Sequence, residues 1–135
     1  MTRSILLATL VATACARGPA PPAPLALGED ACAHCRMTVV SQATAAQIAR
    51  RGDEPVFFDD VGCLRDYLGR HTTPPDAVVY VADHRTGEWV DARTAVVTRT
   101  STSTPMGSGL LAHADARSRD ADPAAAGGSA AVVIP

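Results

Sequence analysis

Apolar and polar positions along this chain change period several times, and each change marks an element. Ala77-Val78-Val79-Tyr80-Val81-Ala82 is a β-branched apolar run behind Pro74-Pro75, and it predicts the clearest strand. Upstream, Val61, Leu64 and Leu68 recur at helical spacing with Tyr67 on the same side, which predicts a short amphipathic helix over Asp60 to Gly69. Asp59 and Asp60 supply carboxylates for its positive end, and Gly69 with Pro74-Pro75 closes it. Three shorter extended pieces precede the helix: Met37 to Ser41, the weaker Ala45 to Arg50, and Pro55 to Phe58. The second half loosely repeats this order. Glu88-Trp89-Val90, Thr94 to Arg99 and Gly109 to His113 read as strands, and Ala114 to Ala126 as a helix that Pro123 would break. Gly127-Gly128 then leads to a terminal strand over Ala130 to Ile134. The fold class expected is α+β, two small related ββαβ units.

The first thirty residues follow another pattern. Arg3, an apolar run over Ile5 to Val11 and small residues up to Ala14 have the layout of a secretory signal over 1–14, too short to span a bilayer. Ala12-Thr13-Ala14-Cys15 resembles a bacterial lipobox with Ala where Leu is usual, so Cys15 is the candidate lipidation site. An ordinary signal cleaved near Ala14 without lipid is the alternative. Prolines between Arg17 and Pro24 suggest an extended, disordered tether over 15–30, leaving a metal-binding domain over 31–135. The expected location is the bacterial cell envelope, lipid-anchored and facing the periplasm or the exterior.

Composition narrows the picture a little. A net charge of -2 offers nothing to nucleic acid or to an anionic membrane surface. At 135 residues with few aromatics, the chain forms one domain or two very small ones sharing a core. Cys15 aside, three cysteines remain, Cys32, Cys35 and Cys63, and an odd count leaves at least one thiol unpaired within the chain.

The chemistry concentrates in two places. Cys32-Ala33-His34-Cys35-Arg36-Met37 gathers two thiols, an imidazole and a thioether, and Thr104-Pro105-Met106-Gly107-Ser108-Gly109 presents a thioether between turn-forming residues. Thiolate and thioether are soft donors that favour Cu(I) over Mg²⁺ or Ca²⁺. Other readings stay open: a redox dithiol, a Cys32–Cys35 structural disulfide, or zinc on Cys32, His34, Cys35 and Cys63. Met37 or Met106 taken singly suits core filling, and Cys63, on the flank of the helix, suits a small buried hydrophobe. His71 and His84 fall in predicted turns and are expected to be solvated, while His113, after the methionine loop, could reach a metal. Neither a nucleophile–base pair nor a phosphate-binding loop is visible, so no enzyme activity is expected.

These stretches in order resemble the NosL family of periplasmic copper-chaperone lipoproteins. The similar residues are Cys32-x-x-Cys35-x-Met37, then Phe57-Phe58-Asp59-Asp60-Val61-Gly62-Cys63-Leu64-x-x-Tyr67, then Val81-x-Asp83 with Thr86 to Ala92, then Thr104 to Gly109, and Gly127-Gly128. The resemblance implies a two-unit ββαβ fold that binds Cu(I) through Cys35, Met37 and Met106, with Cys32 as a further candidate. It also implies a partner, a copper-accepting membrane assembly complex or cuproenzyme, in nitrous oxide reductase maturation. The sequence departs from the family at Arg36, where a small residue is common, at Leu64 in place of Met, and after Gly109. An exported thiol–disulfide oxidoreductase on Cys32 and Cys35 is the alternative function. Whether one chain builds the site or a homodimer shares it is left open.

Overall fold

A computed structural model of the chain describes residues 18–134. The signal segment expected over 1–14 and the candidate lipidation site Cys15 lie outside the described residues.

Two antiparallel sheets repeat one arrangement. The first comprises β1 (Ala46–Ala49), β2 (Val56–Phe58), β3 (Val78–Ala82) and β4 (Trp89–Asp91), in the order β2-β1-β3-β4. Helix α1 (Val61–Leu68) lies between β2 and β3 in the chain. The second sheet holds β5 (Val96–Arg99), β6 (Leu110–His113) and β7 (Ser129–Ala131), ordered β6-β5-β7, with α2 (Ala116–Asp120) between β6 and β7. In each unit the first strand is central, flanked by the second and the last, so the two ββαβ units expected from the sequence are present. β4 is an addition to the first.

One core joins the units. Ile48, Phe58, Val61, Leu64, Val81, Val97, Leu110 and Ala112 pack together, with Cys32 and Cys63 among them. Helix α1 turns Val61 and Leu64 inward and packs on β1, β2 and β6, so a single helix covers parts of both sheets. Its start and stop are those expected: Asp60 accepts from the Gly62 amide, and Gly69 is the C-cap. α2 differs from the long helix expected over Ala114 to Ala126. It is a five-residue piece, capped by Asp115, which presents only Ser118 to the interior. Pro123 then opens a separate 3₁₀ turn, Pro123–Ala125, at a first-turn position that needs no N–H.

Two further expectations are corrected. Met37 to Ser41 forms no strand; Thr38 makes one isolated bridge to Ala31, and Cys32 another to Phe57. The tether, expected to be disordered over 15–30, is laid against the first sheet from Gly18 onward. The Ala23 amide donates to Gln47 Oε1 at 2.7 Å and the Gln47 amide returns a bond to the Ala23 carbonyl at 3.0 Å. Tyr80 donates to the Ala20 carbonyl at 2.7 Å, and Arg51 to those of Gly18 and Pro19. Prolines remove donors from this segment, and the body of the protein supplies donors for the carbonyls that remain.

Candidate metal centre

The Cys32–Met37 turn is fixed at both ends. The Cys32 amide donates to the Met37 carbonyl at 2.8 Å and the Arg36 amide to the Cys32 carbonyl at 2.9 Å. Beside it, the Ala33 amide bonds the Phe57 carbonyl of β2 at 2.9 Å, pinning the turn to the sheet edge. Closing the turn requires a left-handed residue, and Arg36 takes that role with φ 67°. Glycine reaches positive φ without the Cβ penalty, so the side chain at this position carries a backbone cost. Arg36→Gly is expected to raise stability by about 0.5–1 kcal/mol, read as a higher urea midpoint at unchanged slope.

Cys63 comes from another element. It occupies the third position of α1, and the Sγ atoms of Cys32, Cys35 and Cys63 all lie within 4.8 Å of one another. All three are free thiols. His34 is not part of this group, so the four-ligand zinc set considered from the sequence is not assembled among the described residues. Cys63 is buried, as expected of a small hydrophobe, yet its thiol also completes a donor cluster that sequence reasoning did not assign to it. The signal was there: Cys63 is the odd thiol, inside the Phe57 to Tyr67 stretch that carries the resemblance.

The three thiols differ electrostatically. Burial alone would push Cys32 up, but backbone groups of Cys35, Asp59 and His34 bring it below the usual thiol value. The Cys35 amide points at Cys32 Sγ from 3.5 Å. Cys35 is raised by burial and by its neighbour Cys32. Cys63 is driven well above the ordinary thiol range by burial and by the other two sulfurs. Of the three, Cys32 gives up its proton most readily, and a bound metal ion would favour the thiolate form of all of them. An attacking redox thiol needs the opposite layout, acidic and accessible. Here the thiol that is lowered, Cys32, is sealed in the core and the partly exposed Cys35 is raised, which counts against the dithiol oxidoreductase.

The methionine loop is brought to the same helix by one carboxylate. Asp60 Oδ1 accepts from the Gly62 amide at 2.6 Å and from the Ser108 hydroxyl. Its Oδ2 accepts from Thr104 Oγ1 at 2.6 Å and from the Met106 amide at 3.0 Å. Burial would raise this carboxyl, but the bonds from Ser108, Thr104, Met106 and Gly62 hold it below the usual range. The capping role expected of Asp60 is therefore real and incomplete, since the same group clamps the loop between β5 and β6. Gly109, at φ 64°, faces the Thr100 carbonyl so closely that no Cβ would fit. Met37 and Met106 are 54% and 46% exposed, so neither fills the core.

Gly62 sits where helix and loop touch, and a Cβ there would collide with Ser108 Cβ. Alanine suits a helix, so Gly62→Ala should leave α1 intact while pushing the loop away. A stability loss of about 1–3 kcal/mol is expected in urea unfolding, with a weaker hold on any ion that uses Met106.

Fold and site together define a small α+β protein whose clustered thiols could hold a metal ion. Over residues 24–133 the sequence matches the model of the NosL family, and the chain belongs to that family. Its members are copper-binding chaperones. No curated protein and no solved structure matches the chain.

Proposed function

We propose that the protein carries Cu(I) in the cell envelope and passes it to a copper-accepting membrane complex or cuproenzyme, in the maturation of nitrous oxide reductase. The observation that carries this reading is the convergence of three free thiols, only Cys35 of which is open to solvent. Exposed thioethers accompany it: Met37 two residues from Cys35, and Met106 tied through Asp60 to the helix bearing Cys63. An all-sulfur donor set selects Cu(I) over harder ions. Cu(I) accepts two or three ligands, so Cys35, Met37 and Met106 take the ion at the surface while Cys32 and Cys63 supply sulfur from behind. A partner's ligands then replace the exposed ones one at a time, and no covalent step on a substrate is involved. The lipid on Cys15 keeps the carrier at a membrane. Among the described residues no helix is long and apolar enough to cross one, and a lipid would take that place.

An anaerobic competition between the reduced protein and a coloured Cu(I) chelator tests this. The parent should withdraw about one Cu(I) per chain, or one per two chains if a dimer shares the site. Cys35→Ser and Met106→Leu should each compete markedly less well. A parent that leaves the chelator fully loaded would end the carrier reading.

A further inference from the structure

A second group of ligating side chains lies outside the thiol centre. His84 follows β3, His113 ends β6, and Asp122 precedes the 3₁₀ turn, so three separate parts of the chain converge. Asp122 Oδ2 is 2.6 Å from His84 Nδ1 and 2.9 Å from His113 Nε2. The expectation that His84 is solvated is therefore corrected: its side chain is 21% exposed and engaged. His113, weighed from the sequence as a metal ligand, is wholly buried, and it meets His84 and Asp122 rather than the cysteines.

The surrounding bonds hold this geometry in place. The His84 amide donates to the Ala112 carbonyl at 2.8 Å, fastening the turn after β3 to β6. Asp83 accepts from the Ala114 amide at 2.7 Å, on the other side of His113. Asp122 Oδ1 is occupied by the Ala124 amide at 2.9 Å, leaving Oδ2 to face both imidazoles. Hydrogen bonding alone leaves one oxygen serving two rings through His84 Nδ1 and His113 Nε2. One carboxylate oxygen shared by two imidazole nitrogens, all drawn from separate parts of the chain, is a convergence of nitrogen and oxygen donors that a metal ion would satisfy.

We infer that His84, His113 and Asp122 form a second metal site, for a borderline divalent ion of the Zn²⁺ class. Two imidazoles and one carboxylate are nitrogen and oxygen donors, which suit Zn²⁺ and are poorly matched to Cu(I). Tetrahedral zinc with ligands at about 2.0 Å separates them by about 3.3 Å, so Asp122 Oδ2 needs to draw back from each ring nitrogen by less than about 1 Å. Three protein ligands leave a fourth position, and the exposed flank of His84 gives solvent access to it.

The test uses the reduced full chain and no copper, so its result stands apart from the Cu(I) reading. Cys63→Ala removes the three-sulfur set, which could itself take zinc, and Zn²⁺ is titrated into this variant against a chromophoric chelator. One Zn²⁺ per chain is expected. Adding His84→Ala or Asp122→Asn should weaken it at least tenfold. Asp122→Asn keeps an acceptor oxygen toward the rings, so the fold survives even if His84→Ala does not. Co²⁺ in place of Zn²⁺ should give ligand-field bands without a thiolate charge-transfer band. Absence of Zn²⁺ binding in Cys63→Ala, a thiolate band there, or undiminished binding in the Asp122→Asn double variant would each overturn the inference.

Discussion

Cys63→Ala is expected to weaken Cu(I) binding by more than about a hundredfold, while costing the fold little. Loss of a group that merely supports a metal ligand typically lowers affinity 10–100-fold, so loss of a donor should exceed that. Alanine keeps an apolar side chain at a buried position beside Leu64 and Val61, and the missing sulfur leaves a small cavity worth about 1 kcal/mol. The two roles open to Cys63 thus separate. As core filler alone it would lose stability and keep copper; as a donor it loses copper and keeps most of its stability. Chelator competition and urea unfolding on one preparation read both. Unchanged competition would return Cys63 to the core and leave Cys32, Cys35 and the methionines as the ligand set.

Asp60→Ala should have the largest effect on folding, a loss of about 3–5 kcal/mol in urea unfolding. Four donors converge on this carboxylate, the amides of Gly62 and Met106 and the hydroxyls of Thr104 and Ser108. Bonds to a charged group contribute about 1.5–3 kcal/mol each, and stranded donors add a desolvation cost, though neighbouring losses do not sum. Typical domain stability is about 5–15 kcal/mol, so this variant approaches the threshold of folding. Asp60→Asn keeps one acceptor oxygen but brings an amide into a site where every neighbour is a donor. It should lie between alanine and parent, with weakened Cu(I) binding because the Met106 loop is no longer held to α1. A loss below 1 kcal/mol for Asp60→Ala would mean that solvent or repacking replaces the clamp.

Local signals in the sequence were reliable where one element carries its own evidence. The α1 helix was legible from Val61, Leu64 and Leu68, and its N-cap from Asp60. β3 was legible from its unbroken apolar run. What escaped depends on partners distant in the chain. β1 was only a weaker strand candidate, and its Gln47 is fully buried and spends its amide on Ala23, 24 residues earlier. His84 looked solvated because its partner Asp122 is 38 residues away. The sulfur of Cys63 could be placed on the flank of a helix, but only the docking of the Cys32–Met37 turn against β2 shows what it faces. The double role of Asp60 was hidden likewise, since capping explains such a residue fully until the loop from Thr104 to Ser108 arrives.

The strap that begins at Gly18 changes how far the proposed carrier could reach. A free tether over 15–30 would let the domain roam tens of ångströms from its anchor. With the strap fixed to Gln47, Tyr80 and Arg51, three chain steps separate Cys15 from the folded body, at most about 11 Å. With the lipid proposed on Cys15, a body leashed that closely would search in two dimensions, within a thin layer over the bilayer. The proposed acceptor would then have to offer its copper-receiving groups at that height on the same membrane, and encounter would become a matter of lateral diffusion.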